Sequence, residues 1–330
     1  MKKILFVHNH PAQFVRLDLA ELQKRYQVTE CYLQSPWINP AAIWQHVRMH
    51  DLVFGWFASW HTLLPIEFAR ILRKPSLLII GGYDVADIPE IEYGHQRGGM
   101  KRWLSRRTMR SASCLVATSL YSQTEAAHNA ALKKNHINAV YLGVPDPFGS
   151  LPAGPRARMA LTVGNVDRGN LLRKGHEPFV RAAALLPDVN FTLAGNWKDD
   201  AIEYLRSFAT PNVSFTGRLT DEQLLDYYRK ASVYVQASRH EGFGLSVAEA
   251  MLAGCVPVTT GAGSLPEVTG ECGVLLASTE APDVAAAIQA GLTYTDEARL
   301  SIRTRILNEF PMKNRREHLE QLIEPLMNGH

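Results

Sequence analysis

Cysteine is scarce in this chain: four occur in 330 residues, at Cys31, Cys114, Cys255 and Cys272, and none stands at the short pairwise spacing of a zinc or redox site. That excludes a cysteine-held metal and is the usage of a reduced, intracellular protein. Long apolar runs are missing at the start, where MKKILFVH is too brief for a signal peptide or a membrane span, so a cytoplasmic location is expected. Net charge is small as well. Lys plus Arg number 35 against 32 Asp plus Glu, a formal +3, and no nucleic-acid partner is demanded. Short repeats and low-complexity tracts are absent. What remains, 46% hydrophobic and 20% charged, is the composition of a soluble globular enzyme, and the length suits two domains.

Short apolar or β-branched runs alternate with amphipathic stretches throughout, the pattern of parallel sheets covered by helices on both faces. KILFVH (3–8), VTECYL (28–33), DLVFGW (51–56), SLLII (76–80), CLVATS (114–119) and INAVYL (137–142) read as strands of a first half. GVPDPFGSLPAGPR (143–156), with four prolines and three glycines, continues neither helix nor strand and is read as the linker. The alternation then restarts with MALTVGN (159–165), NFTLAGN (190–196), NVSFTG (212–217), SVYVQAS (232–238), CVPVTT (255–260) and GVLLA (273–277). Two helical stretches near 296–309 and 312–327, separated by Pro311, close the chain. Two doubly wound domains follow, with ligand expected beyond the carboxyl ends of the strands.

HEGFGLSVAEAMLAG (240–254) places Glu241 and Glu249 on either side of a glycine turn that leads from a buried-type strand into a helix ending at Gly254. Glu249 has two readings. Ser246-x-x-Glu249 is a capping box, in which the glutamate only satisfies a backbone N–H. Alternatively, glycine lets backbone amides approach a phosphate at the helix N-terminus, and an ionised carboxylate near it accepts from a vicinal diol such as that of a ribose. Glu241 is either a solvated loop residue or a ligand for a second sugar beyond the diphosphate.

EGFGLSVAE, two glutamates separated by seven residues, resembles the signature of retaining glycosyltransferases of family 4, which have the GT-B fold. The similarity extends over KGHEPFVRAAALLPDVNFTLAGN (174–196), residues 211–268 and CGVLL (272–276). It implies two Rossmann-like domains facing across a cleft: 1–145 on the acceptor side, 146–310 binding the nucleotide sugar, and 311–330 a helix returning to the first domain. Glu249 then holds the ribose and Glu241 the donor sugar, while Phe243, Gly244, Leu245 and Ser246 offer their helix-start groups to diphosphate and sugar. Gly217, Arg218 and Leu219 lie beside the base, and Lys174 faces the diphosphate as the cation that stabilises charge developing on the leaving group. No metal and no cofactor are implied beyond the nucleoside-diphosphate-sugar itself.

Departures from the family pattern fall at informative places. The arginine common after the strand that opens the second domain is here Asn165, following Gly164; Arg168, preferred, or Arg173 is expected to replace it. In the first half the family's His-Gly-x-Asp becomes Gly81, Gly82, Tyr83 and Asp84, so Asp84 is retained, to assist the acceptor or orient the sugar, and His95 is read as either a stand-in for the histidine or an ordinary loop residue. The glycine-rich loop after the first strand is replaced by HNHPAQF, which sends His8, Asn9 and His10 toward the strand ends as acceptor-side candidates. RGGMKRWLSRRTMR (97–110) carries six basic residues and no acid; it is read either as an anionic-membrane contact at the inner face or as a solvated helix that packs its tryptophan on the sheet. TTGAGSLPE (259–267) lacks the third glycine of a dinucleotide loop and reads as a turn near the donor.

The expected activity is transfer of a hexose-type sugar from a nucleoside diphosphate to a hydroxyl acceptor, whether glycan, lipid-linked or small molecule, with retained configuration. Two alternatives compete with it: a sugar-nucleotide epimerase or a glycosidase on the same fold, the latter using Glu241 and Glu249 as acid and base, and a non-catalytic sugar-nucleotide-binding protein.

Overall fold

The computed structural model describes residues 1–37, 39–151 and 156–329. It divides into two units, Met1–Gly143 together with Met312–His330, and Val144–Pro311.

In the first unit β1 (Lys3–His8), β2 (Gln27–Tyr32), β3 (Leu52–Trp56), β4 (Ser76–Ile80), β5 (Cys114–Ala117) and β6 (Ile137–Ala139) form one parallel sheet in the order β2-β1-β3-β4-β5-β6. The apolar runs of β1, β3 and β4 are almost wholly buried because helices cover both faces. Leu5, Val7 and Val53 pack with Ile66 on one part of this core, and Leu78, Ile80 and Ala117 pack with Met109 on another. Strand order reverses between β1 and β3, the switch point at which open α/β sheets admit ligands. The helix Met312–Asn328 belongs to this unit: the buried Arg315 guanidinium donates to both Asp18 oxygens at 3.1 and 2.7 Å and to the Val140 carbonyl at 2.7 Å.

In the second unit β7 (Ala157–Val163), β8 (Asn190–Ala194), β9 (Val213–Gly217), β10 (Ala231–Gln236), β11 (Val256–Thr259) and β12 (Val274–Leu275) form a second parallel sheet, ordered β12-β11-β10-β7-β8-β9. Its core gathers Phe191, Leu193, Val233, Val235 and Val258 around Phe179. Here the reversal lies between β7 and β10. Of the stretch read as a linker, residues 152–155 lie outside the described residues. Its beginning is fastened down and is no loose tether: Val144 donates its N–H to the Phe310 carbonyl at 2.8 Å, and Asp146 takes the Arg303 guanidinium at 3.1 and 2.5 Å.

Candidate functional site

At the β7/β10 reversal of the second unit, β10 ends and the chain turns through Gly242 and Gly244 into the helix Leu245–Leu252. Gly244, at φ 92° and ψ 48°, is the N-cap, in a left-handed conformation that favours glycine. The capping-box alternative is thereby corrected: Ser246 stands inside the helix and no side chain caps it. The amides of Leu245 and Ser246 lie in the first turn, where no intrahelical carbonyl is within reach, and they sit at the positive end of the helix dipole.

Glu241 is no solvated loop residue. It is 8% exposed and accepts from Gln236 Nε2 and Ser238 Oγ, both at 3.0 Å, and from the Lys174 ammonium. Gly263 of the GAGS turn packs directly on the Glu241 backbone, where any side chain would collide, and Ser264 donates its N–H to the Glu241 carbonyl at 3.0 Å. The turn that follows β11 is therefore a brace for the glutamate loop.

Lys174 reaches Glu241 because Gly175, at φ 70°, lets the turn between the helices Arg168–Arg173 and His176–Ala182 lie against Ala237 at the end of β10. A methyl group there would run into the Ala237 carbonyl. Arg239 N–H pins the same turn by donating to the Arg173 carbonyl at 2.8 Å. Burial pulls the Lys174 ammonium below its ordinary range, opposed by the Glu241 charge. Burial pushes the Glu241 carboxyl up, but Lys174 and Arg173 outweigh it and hold it below the usual carboxylate value, so the glutamate is ionised at neutral pH. Gly175→Ala combines a left-handed alanine with a backbone collision and is expected to cost about 2–4 kcal/mol. A lowered denaturation midpoint with unchanged m-value checks this; an unchanged midpoint would contradict the close approach.

Glu249 is also buried, 8% exposed, with the Tyr228 hydroxyl donating to it at 3.2 Å. Burial and then the Glu249 charge drive the Tyr228 hydroxyl far above its ordinary value, so it remains a donor. Phe243 turns its ring edge-on to Phe310, with centroids 5.4 Å apart. Gly164 closes β7 against β8, donating to the Ala194 carbonyl at 2.9 Å, and Asn165 is exposed. Gly217, at the end of β9, lies under the Trp197 indole, 3.7 Å from where a side chain would begin; Arg218 is exposed and Leu219 half-buried.

Arg168 stands at the surface. Its guanidinium is exposed and grips Asp200 in a two-pronged pair, while its backbone N–H goes to Asp199 at 3.0 Å. Arg173 is the arginine whose charge acts on both Glu241 and Lys174, with its guanidinium held by Asn170 Oδ1 at 3.0 and 2.6 Å. Sequence reasoning missed two neighbours, Trp197 and His176. The His176 ring lies fully buried beside Gly164 with neither nitrogen hydrogen-bonded among the described residues, and burial, then Lys174 and Arg173, lower its pKa to about 3.

In the first unit a cavity of about 360 Å³ opens at the carboxyl ends of β1, β3 and β4, lined among others by Phe57, Trp60, His61, Tyr83 and His95. His8 does not enter it as an available group. Its Nε2 pairs with Glu30 at 2.7 Å and its Nδ1 lies 3.1 Å from the His10 carbonyl, while the His10 side chain is exposed. Asp84 lines the cavity, but its two oxygens accept the backbone N–H groups of Ala58 at 2.9 Å and Gly81 at 3.1 Å. That makes it a brace between the ends of β3 and β4 as well as part of the cavity lining. The missing histidine has a steric reason: a side chain at Gly81, φ 146°, would collide with Thr118 Oγ1. His95 does come to the cavity, its ring edge-on to Tyr83 at 4.6 Å. His61, unremarked in the sequence, lies beside it. The helix Gly99–Ser111 does not pack its tryptophan on the sheet, since Trp103 is 58% exposed.

Burial raises the Asp84 pKa to about 6 from 3.8, against its backbone hydrogen bonds. A carboxyl whose folded pKa is raised contributes stability that is complete below its unfolded value and lost as pH rises through the folded one. Asp84→Asn is therefore expected to remove a fall in stability between about pH 4 and pH 6. It also sets an amide N–H against one backbone donor, at a cost of about 1–3 kcal/mol. Denaturant melts across that pH range check both effects; parallel pH profiles in the two proteins would contradict the assignment.

Residues 157–293 match the family model described as Glycosyl transferases group 1. O-antigen chain mannosyltransferase B of Escherichia coli is 34% identical over 125 residues, 35% of this chain and 32% of that protein. D-inositol 3-phosphate glycosyltransferase of Mycolicibacterium gilvum is 31% identical over 150 residues, 41% of this chain and 31% of that protein. The matches thus span about a third of these curated relatives' length. Anabaena HepE, crystallised in complex with UDP and glucose, superimposes with a TM-score of 0.78 at 18% identity, covering 98% of this chain and 99% of that one. Sucrose-phosphate synthase from Thermosynechococcus elongatus gives 0.77 at 19% identity, covering 100% of both chains. At these identities the solved structures establish the fold, two Rossmann-like units of the GT-B type.

Proposed function

Residues 157–293 belong to the group 1 glycosyltransferases, and from that premise we propose that the chain transfers a hexose from a nucleoside-diphosphate-sugar to a hydroxyl acceptor with retention of configuration. The observation that carries this reading is the buried Lys174–Glu241 pair beside a glycine-capped helix start at the strand-order reversal of the second unit. In this reading the diphosphate lies against the first-turn amides and draws Lys174 to itself, Glu241 turns its freed lone pairs to hydroxyls of the sugar, and Glu249 accepts from the ribose diol. Arg173, rather than Arg168, is the second cation. The C1–O bond breaks with its electron pair leaving on the diphosphate, the acceptor oxygen bonds to C1 on the same face, and its proton passes to the departing phosphate. Stabilisation of the leaving charge is the protein's main contribution, and Lys174 supplies it.

Glycosidase chemistry finds less support. It needs one protonated carboxyl as acid and one ionised carboxylate as base or nucleophile; Glu241, held ionised beside Lys174, is not the acid, and its Oε1 is already taken by Lys174, Gln236 and Ser238. Incubation with UDP-, GDP- and ADP-hexoses and a panel of acceptors, followed by measurement of released nucleoside diphosphate and product linkage, tests the proposal. Acceptor-dependent release with a retained anomer is expected. Binding without release across the panel would sustain the non-catalytic alternative, and release of free sugar from simple glycosides would sustain the glycosidase.

The helix Gly99–Ser111 supports peripheral contact with an anionic membrane: Met100 is 69% exposed, and Lys101, Arg102 and Trp103 adjoin it on the surface. Among the described residues no helix is long and apolar enough to cross a membrane. Cosedimentation with phosphatidylglycerol vesicles is expected, weakened severalfold in Trp103→Ala; equal partition onto neutral vesicles would contradict the electrostatic part.

A further inference from the structure

We propose that the cavity of the first unit is a saccharide site, in which a sugar ring lies against Trp60 and Tyr83 and its hydroxyls meet Nδ1 of His61 and Nδ1 of His95. This deepens the transferase reading, on which it rests, by naming the acceptor as a neutral glycan end. Three independent features carry it.

The first is two orphaned polar atoms in one small space. His61 is 1% exposed and His95 9%, and the Nδ1 of each has no hydrogen-bond partner among the described residues. The other nitrogen of His61 is already committed to the Trp56 carbonyl at 2.8 Å, which fixes the ring and leaves Nδ1 as the atom to be satisfied. Burial lowers both imidazoles to about 4, so at neutral pH they are uncharged, and a hydroxyl, which can donate or accept, suits either tautomer.

The second is the walls. Trp60 and Tyr83 are only partly buried, and each meets one of the two histidines edge-on, at 5.3 Å for Trp60 with His61 and 4.6 Å for Tyr83 with His95. An apolar face next to a hydrogen-bonding nitrogen, repeated twice, matches a pyranose, whose C–H faces are apolar and whose rim is hydroxylic. Phe57 at the end of β3 completes the wall in a left-handed backbone conformation, φ 65°, which a bulky side chain rarely adopts and which clusters at ligand sites.

The third is charge. Among the described residues Lys101 is the one cation lining the cavity, and its ammonium already lies 5.8 Å from the centre of the Tyr83 ring. The one acid among the described residues of the lining, Asp84, has both oxygens on backbone amides. A phosphate-bearing acceptor asks for more than a single lysine, and an alkyl chain would leave both imidazole nitrogens unsatisfied.

Calorimetric titration of the full chain with methyl α-mannoside, methyl α-glucoside and methyl β-galactoside, alone and with saturating UDP or GDP, tests the inference. Glycerol 3-phosphate serves as the anionic comparison. At least one neutral glycoside is expected to bind at millimolar or better affinity, at least tenfold weaker in Trp60→Ala and in His95→Gln, with nucleotide affinity unchanged in both. Should Trp60→Ala fail to fold, Tyr83→Ala, at an exposed ring, replaces it. No binding by any glycoside, equal binding in the variants, or a preference for glycerol 3-phosphate would overturn the inference. Glycoside binding in a chain that ignores every nucleotide would support the site and count only against the transferase reading.

Discussion

Lys174→Ala is expected to lower turnover about a thousandfold while changing donor affinity far less. A unit charge about 4 Å from the developing charge on the diphosphate, at an effective dielectric of about 20, is worth roughly 4 kcal/mol, or about three powers of ten in rate when realised in the transition state. The ground state gains less, because in the free protein Lys174 already has a partner in Glu241 and must exchange one carboxylate for another anion. The same substitution leaves Glu241 buried and ionised with neutral hydrogen-bond donors, Gln236 and Ser238, and only the Arg173 charge nearby, which costs up to about 3 kcal/mol of stability. The double variant Lys174→Ala with Glu241→Gln separates the two effects. It is expected to recover most of the stability and none of the turnover. Single-turnover rates and denaturant melts on the three proteins measure this, and a variant that lost stability but kept its rate would reduce the pair to a structural ion pair.

Glu249→Ala is expected to act on donor binding instead. A carboxylate accepting from ribose hydroxyls contributes about 1.5–3 kcal/mol, so the affinity for nucleoside diphosphate should fall roughly 10- to 150-fold. Turnover at saturating donor should change little, since the ribose is bound equally in ground and transition states. Alanine also strands the Tyr228 hydroxyl in a buried site. Glu249→Gln retains an acceptor for Tyr228 but loses the charge, and it is expected to restore stability while leaving donor binding impaired. Recovery of donor binding in the glutamine variant would show that the tyrosine, and not the ribose, is what Glu249 serves.

The sheet architecture was legible in the sequence because parallel strands covered on both faces must be apolar along their whole length, and KILFVH, SLLII and SVYVQAS state this directly. The turn around Gly244 was equally readable from glycine spacing at a strand-to-helix junction. The pairing of Lys174 with Glu241 was not, because it depends on Gly175 approaching Ala237 across 62 positions of sequence, a contact no local pattern encodes. The pairing of Arg168 was hidden for a related reason: Asp200 reaches it from 32 positions away. His8 and Asp84 were recognised as polar groups near strand ends, yet their bonds to Glu30 and to the Ala58 and Gly81 amides, made in three dimensions, occupy them. His61 escaped notice because it sits among apolar residues of a helix, where a histidine looks like core.

At the centre of the account stands a nucleoside diphosphate bound by the second unit through Glu249 and the Gly244 helix start. Thermal melting of the full chain with UDP, GDP and ADP, and with the corresponding hexose conjugates, tests it most directly. Ligand at about a hundred times its Kd adds about 2.7 kcal/mol to the native state. At least one base is expected to raise the melting temperature by several degrees in the wild-type chain and much less in Glu249→Ala at the same concentration. Melting curves that no nucleotide moves, or that shift equally in both proteins, would contradict it.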